Sequence, residues 1–175
     1  MAEVESRPPA TLRLRRIRPE EHDEVGAITV AAYEPFTRGP GDPYRARLAD
    51  TAARDRDAEV WVAVDEREAL LGSVTHCPPG SPWREVAVEG EGEFRMLSVA
   101  PAAQGRGVGE ALVGRCLDRA RAEGQRAVVL SSLPQMAAAH RLYGRLGFTR
   151  APERDWEPVP GVRLIGFRRD LEDGT

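Results

Sequence analysis

The chain has no lysine, and all 25 of its basic residues are arginine. A Walker phosphate loop, which needs Lys followed by Ser or Thr after its last glycine, is therefore excluded. Cysteine is nearly as scarce. Cys77 and Cys116 are the two present, far apart and without metal-ligand spacing, so they read as reduced thiols rather than a disulfide framework. His22, His76 and His140 are scattered as well, and no metal site is expected. No run of about 18 apolar residues occurs, so no membrane span is expected. The opening segment Met1–Pro9 is acidic and lacks an apolar core, which predicts no secretory signal and a cytoplasmic location. A net charge of −3 offers no broad basic footprint for nucleic acid.

What is present is the composition of a globular protein, 41% hydrophobic and 30% charged over 175 residues, enough for one domain with a sizeable core. Residues 1–10 read as a loose tail and residues 11–172 as a single domain without internal repeats. Thr11–Ile17 alternates apolar and Arg residues like a half-buried strand. Pro19 opens a helix running to about Tyr33, with Glu20, Glu21 and Asp23 at its positive end. After a Pro- and Gly-rich loop (Pro35–Pro43), a second helix is expected from Pro43 to Arg56, capped by Asp42. Glu59–Asp65 and Leu70–His76 read as a hairpin. Cys77–Gly92 is a long loop or a loop with an irregular strand.

The next strand, Glu93–Val99, has an irregular pattern. Phe94 and Met96 share one parity, and Leu97 and Val99 share the other. Either a bulge near Met96–Ser98 shifts the register by one residue, or the strand is buried on both faces. A helix over Gly107–Glu123 follows, with Val113, Cys116, Leu117 and Ala120 as its apolar stripe and Gly124 as its left-handed stop. Arg126–Ser131 is a buried strand. A last helix opens at Pro134 and Gln135, carries Ala139, Leu142, Tyr143 and Leu146 inward, and stops at Gly147, where Phe148 can pack back on its final turn. Two strands, Phe148–Trp156 and Val162–Leu171, close the chain.

Between that irregular strand and its helix lies Val-Ala-Pro-Ala-Ala-Gln-Gly-Arg-Gly-Val-Gly, residues 99–109. Gln104, Gly105, Gly107 and Gly109 put small or polar groups where main-chain amides can point outward at a helix start. Unpaired amides and the positive helix end together hold an anion. The dinucleotide fingerprint G-x-G-x-x-G does not fit, because Gly105, Gly107 and Gly109 are spaced G-x-G-x-G and lie past the middle of the chain.

Gln104-Gly-Arg-Gly-Val-Gly109 resembles the acyl-CoA pyrophosphate motif Q/R-x-x-G-x-G/A of the GNAT superfamily of N-acetyltransferases. Ala139-His-Arg-Leu-Tyr143-Gly-Arg-Leu-Gly147-Phe148 is similar to the family's A-x-x-L-Y-x-x-x-G-F segment, and Glu93–Pro101 looks like its fourth strand. The three segments come in the family's order and cover residues 93–148. The resemblance implies an α/β fold with a mixed, mostly antiparallel central sheet and helices on both faces. The element order is strand, two helices, three strands, helix, strand, helix, two strands. It also favours the bulge, since such folds carry one in strand four.

The resemblance further implies acetyl-CoA as co-substrate, no metal, and a primary amine of a small molecule or peptide as acceptor. It implies no nucleic-acid or membrane partner and allows a homodimer. The pantetheine arm would bond to the main chain of Leu97 and Val99. The diphosphate would rest on Gln104, Gly105, Arg106, Gly107, Val108 and Gly109, with the Arg106 side chain as a phosphate partner or merely solvated. Tyr143 would give a proton or hydrogen bond to the leaving thiolate. Glu93 matches a position where relatives carry a carboxylate base that works directly or through water; Glu91 and His76 are alternatives, some members of the family rely on solvent instead, and a solvated edge carboxylate is the competing reading of each. Met136 stands where many relatives have Asn, and it is given no role. The loops around Pro35–Pro43, Trp83–Glu85 and Trp156 would line the acceptor side, where Glu85, Glu89, Glu91 and Glu93 suggest an acidic surface suited to a cation. A non-catalytic acyl-CoA-binding module on the same fold is the rival reading, and a generic nucleotide-binding domain a third.

Overall fold

The structure is a computed structural model that describes residues 11–172; the tail expected over residues 1–10 lies outside them. Eight strands form the sheet in the order β1 (Arg13–Arg16), β2 (Glu59–Val64), β3 (Leu70–Cys77), β4 (Glu91–Val99), β5 (Ala127–Ser132), β8 (Val162–Asp170), β6 (Thr149–Arg150). The short strand β7 (Trp156–Val159) pairs with β8 off this path. Strands β4 and β5 run parallel, and the other pairs are antiparallel.

Helices cover both faces. Helix α1 (His22–Tyr33), with α2 (Tyr44–Ala49) and α3 (Thr51–Asp57), packs on one face, where Val30, Tyr33, Tyr44 and Leu48 meet Cys77, Trp83 and Met96. Helix α4 (Val108–Ala122) and α5 (Ala137–Arg145) cover the other. The stripe expected on α4 is the buried one: Val113, Cys116, Leu117 and Ala120 join Leu112 in the main core. Each fully buried leucine or valine among them contributes roughly 1.5–3 kcal/mol.

Two details depart from expectation. The second helix is two helices, broken at Asp50, whose side chain accepts the Ala53 amide (3.2 Å) and so starts a new helix. Asp42 caps the first of them as expected: its side chain accepts the Tyr44 amide (2.9 Å) and its carbonyl the Arg45 amide (3.1 Å), while the other carboxylate oxygen takes the Arg38 amide (2.9 Å) and closes the preceding loop. The stretch expected as one strand from Phe148 to Trp156 pairs only at Thr149–Arg150, turns through a short 3-10 segment at Pro152–Arg154, and resumes as β7. Proline at 152, with no amide to donate, ends the ladder.

The terminations of α4 and α5 follow the glycines. Gly124 and Gly147 have φ of +73° and +84°. At each, the two following-turn amides return to the helix: Gly124 to Arg121 and Gln125 to Ala120, then Gly147 to Gly144 and Phe148 to Tyr143.

Candidate active site

Strand β4 carries the expected bulge. Met96 has φ of +54°, and the pairing with β3 jumps from Thr75–Arg95 to Ser73–Ser98, so Met96 and Leu97 oppose a single residue, Val74. The slip settles the parity conflict in the sequence. Phe94, Leu97 and Val99 all face the α4–α5 core, and Met96 turns to the α1–α3 side.

On the other edge of β4, pairing with β5 ends at Glu93–Val129. Phe94 to Val99 and Leu130 to Ser132 therefore lie beyond the ladder that joins the two strands. A wedge opens there, lined by strand edges whose main-chain groups are free to bond a guest.

At the far end of β4 the chain turns through a 3-10 segment (Pro101–Ala103) into α4. The amides of residues 105 to 110 find no acceptor among the described residues, and the first helical return is Ala111 to Gly107 (3.1 Å). Gly105 and Gly107 have φ of +76° and +78°, the alternation that turns successive N–H groups to one side. A Cβ at either would meet nothing within 4 Å. Val108 is buried by its side chain while its amide stays free, and Gln104 to Gly107 are exposed. At Gly109 a Cβ would come within 3.0 Å of Leu142 Cδ2, so glycine there lets α4 lie close to α5.

Tyr143, on α5, is 5% exposed and belongs to the main core. Its ring packs edge-on or tilted against Phe94, Phe148 and Phe167, with centroids 5.8–6.0 Å away. Burial pushes its phenol above the ordinary value. The hydroxyl has no hydrogen-bond partner among the described residues and is not one of the sealed, unpaired polar atoms.

Glu93, the expected base, has its carboxylate engaged by main-chain amides. Its carboxylate is 1% exposed and accepts the amides of Glu85, Val86 and Ala87 at 2.8–3.1 Å. The alternatives are committed too. Glu91 is held by Arg154 (2.6 Å), Arg168 and the Val88 amide (3.1 Å). His76 bonds Glu123 (2.8 Å) in a buried cluster. The acidic surface expected from Glu85, Glu89, Glu91 and Glu93 is likewise not there. Glu85 is paired to Arg95 (2.8 Å), and of the four only Glu89 lacks a partner among the described residues. Buried carboxylates persist only where partners replace lost water.

Sequence reasoning missed Arg95, Arg154 and Arg168, which neutralise this row. The available signal was Glu91, Glu93 and Arg95 at alternate positions of a strand otherwise buried, a pattern that demands partners on one face. Met136 starts α5 and accepts a weak bond from Ser132 Oγ (3.6 Å), which also meets His140 Nε2 (3.1 Å). The loops expected around the acceptor side are tied together: Arg38 reaches the Pro160 carbonyl (3.3 Å) and Arg154 the Val86 carbonyl (2.6 Å).

Residues 16–148 match the acetyltransferase (GNAT) family. The chain belongs to that family. Its sequence is 34% identical over 143 residues to a mycothiol acetyltransferase of Cellulomonas flavigena, covering 70% of this chain and 40% of that protein. The chain thus spans less than half the length of this curated relative. A GNAT-family acetyltransferase from Staphylococcus aureus Mu50 superposes with a TM-score of 0.73 at 11% identity, covering 93% of this chain and all of that one. A Salmonella typhimurium protein solved with its cofactor acetyl-CoA superposes at 0.64 with 23% identity, over 95% and 97% of the two chains. Both confirm the fold.

Proposed function

We propose that this chain moves the acetyl group of acetyl-CoA to a primary amine of a small molecule by direct attack on the thioester. The observation that carries this reading is the run of six unpartnered amides at residues 105–110, set at the end of a strand that bulges away from its parallel neighbour. Free amides at a helix start suit the diphosphate, and the open edge of β4 at Leu97 and Val99 suits the amide-bearing pantetheine arm. The curated relative's name, a mycothiol acetyltransferase, supports a small-molecule acceptor.

In this mechanism the thioester lies in the wedge and the amine approaches from the α1–α3 face. Tyr143 gives a hydrogen bond to the departing sulfur. Full transfer of its proton is unfavourable, because a phenol of pKa about 10 or above is a weaker acid than a thiol near 8.5 by at least ~2 kcal/mol. The phenol stabilises the thiolate as charge develops, and the proton lost by the amine neutralises it afterwards. Placement of the amine against the thioester supplies much of the acceleration.

Thiol release from acetyl-CoA across a panel of primary amines tests the proposal. Acceptor-dependent release by the wild-type chain supports it. Tight acetyl-CoA binding with no release on any amine supports instead a non-catalytic acyl-CoA-binding module.

A further inference from the structure

Before its bulge, β4 presents Glu91, Glu93 and Arg95 on one face, the one on which Cys77, directly opposite Glu93, meets α1–α3 residues. Each of the three grips the loop that precedes the strand. Glu91 takes the Val88 amide, and Glu93 takes those of Glu85, Val86 and Ala87. Arg95 pairs with Glu85, donates to the Trp83 carbonyl (3.2 Å) and lies over the Trp83 ring (5.5 Å from its centroid). Burial works against the charge on Arg95, and Glu85 together with Tyr44, Cys77 and Glu93 outweighs it, so the guanidinium is held above its ordinary value. From the far side Arg154 holds both Glu91 and the Val86 carbonyl. Residues 83–88 have no helix or strand of their own, yet bonds to charged groups fix them at nearly every position.

The place of this clasp matters. Glu93 is the last β4 residue paired with β5, so the amides it holds sit at the apex of the wedge. They lie on the face opposite the turn at 105–110 and α5, the side left to the amine. A proton placed on Glu93 Oε1 would displace the amides of Val86 and Ala87 that donate to it (2.9 and 2.8 Å).

We propose that Glu93 is a positioning residue, which fixes residues 83–88 as a wall of the acceptor subsite and takes no proton from the substrate. The amine then arrives already neutral, having lost its proton to solvent. The kinetic part of this inference rests on the acetyl-transfer reading; the structural part does not.

The test uses the full chain and the Glu93→Gln variant, which keeps one carbonyl oxygen at Oε1 but loses the charge. Amide hydrogen exchange at Val86 and Ala87 is expected to quicken about tenfold, since a bond to a charged acceptor becomes one to a neutral acceptor. The acceptor KM is expected to rise about tenfold, with the acetyl-CoA KM and the pH midpoint unchanged. A fall in kcat of about 100-fold at constant acceptor KM, with loss of a pH limb, overturns the proposal and makes Glu93 the base. Unchanged exchange at residues 85–87 also overturns it. Arg95→Gln removes a second grip and is expected to shift acceptor KM in the same direction.

Should Glu93→Gln fail to fold, the wild-type pH profile with two amines of different basicity decides. A midpoint that follows the amine supports solvent deprotonation, and one fixed by the protein contradicts it. If no amine is acetylated, the acetyl-transfer reading falls, and the exchange data alone judge the clasp.

Discussion

The amide of Phe148 donates to the carbonyl of Tyr143 at 2.9 Å, and the two rings lie 5.9 Å apart. The bond that ends α5 thus also holds the residue proposed to meet the leaving sulfur. Gly147, at φ +84°, makes the turn between them. Replacing it with alanine is expected to cost about 1 kcal/mol through the left-handed backbone, lowering Tm by about 2–4 °C. If the turn positions Tyr143, kcat falls as well while the acetyl-CoA KM holds. Thermal melts and steady-state rates on Gly147→Ala check both.

Tyr143→Phe removes one hydrogen bond to a developing thiolate, worth about 1.5–3 kcal/mol, so kcat is expected to fall roughly 10- to 100-fold. Its ring contacts with Phe94 and Phe167 survive the change, so Tm should stay within about 2 °C. A full rate in Tyr143→Phe across pH would remove the phenol from the mechanism.

Much of this arrangement was legible in the sequence because local rules and global packing agreed. The stripe on α4 and the glycine stops at 124 and 147 each carried a geometric demand with one solution, while the parity conflict at Met96 left two, a bulge or burial on both faces, between which the family resemblance chose. What was not legible depended on partners distant in the chain. Glu93 looks like a free carboxylate until Glu85, Val86 and Ala87 fold back over it, and Glu91 is an acidic surface residue until Arg154 and Arg168 arrive. The break at Asp50 was hidden because helix propensity runs on unbroken from Tyr44 to Asp57, while the Asp50 side chain bonding Ala53 won locally.

Gly107→Ala separates conformation from crowding. A Cβ there meets no atom within 4 Å, but φ is +78°. We expect a loss of about 1 kcal/mol in stability and, because the amides of the turn are re-aimed, a rise of about tenfold in acetyl-CoA KM. Gly114→Ala, in the interior of α4 and equally unobstructed, is expected to gain about 0.5–1 kcal/mol with kinetics unchanged.

Acid sensitivity has a named contributor. Asp155 is held at a pKa of about 2, first by its bond to Arg150 and then by the Gly166 amide. Because its folded value lies below its unfolded one near 3.9, its contribution is present above about pH 4 and is lost as pH falls toward 2. Asp155→Asn should flatten stability across that window and leave the slope at neutral pH untouched, as denaturant melts at stepped pH would read.

The account depends most on the turn into α4. Titrating acetyl-CoA into isotope-labelled protein and following main-chain amide resonances tests it directly. We expect the largest downfield shifts at the amides of residues 105–110, with smaller ones along Leu97 to Val99. Saturable binding that leaves those six amides unmoved, or perturbs another part of the chain instead, would contradict the account.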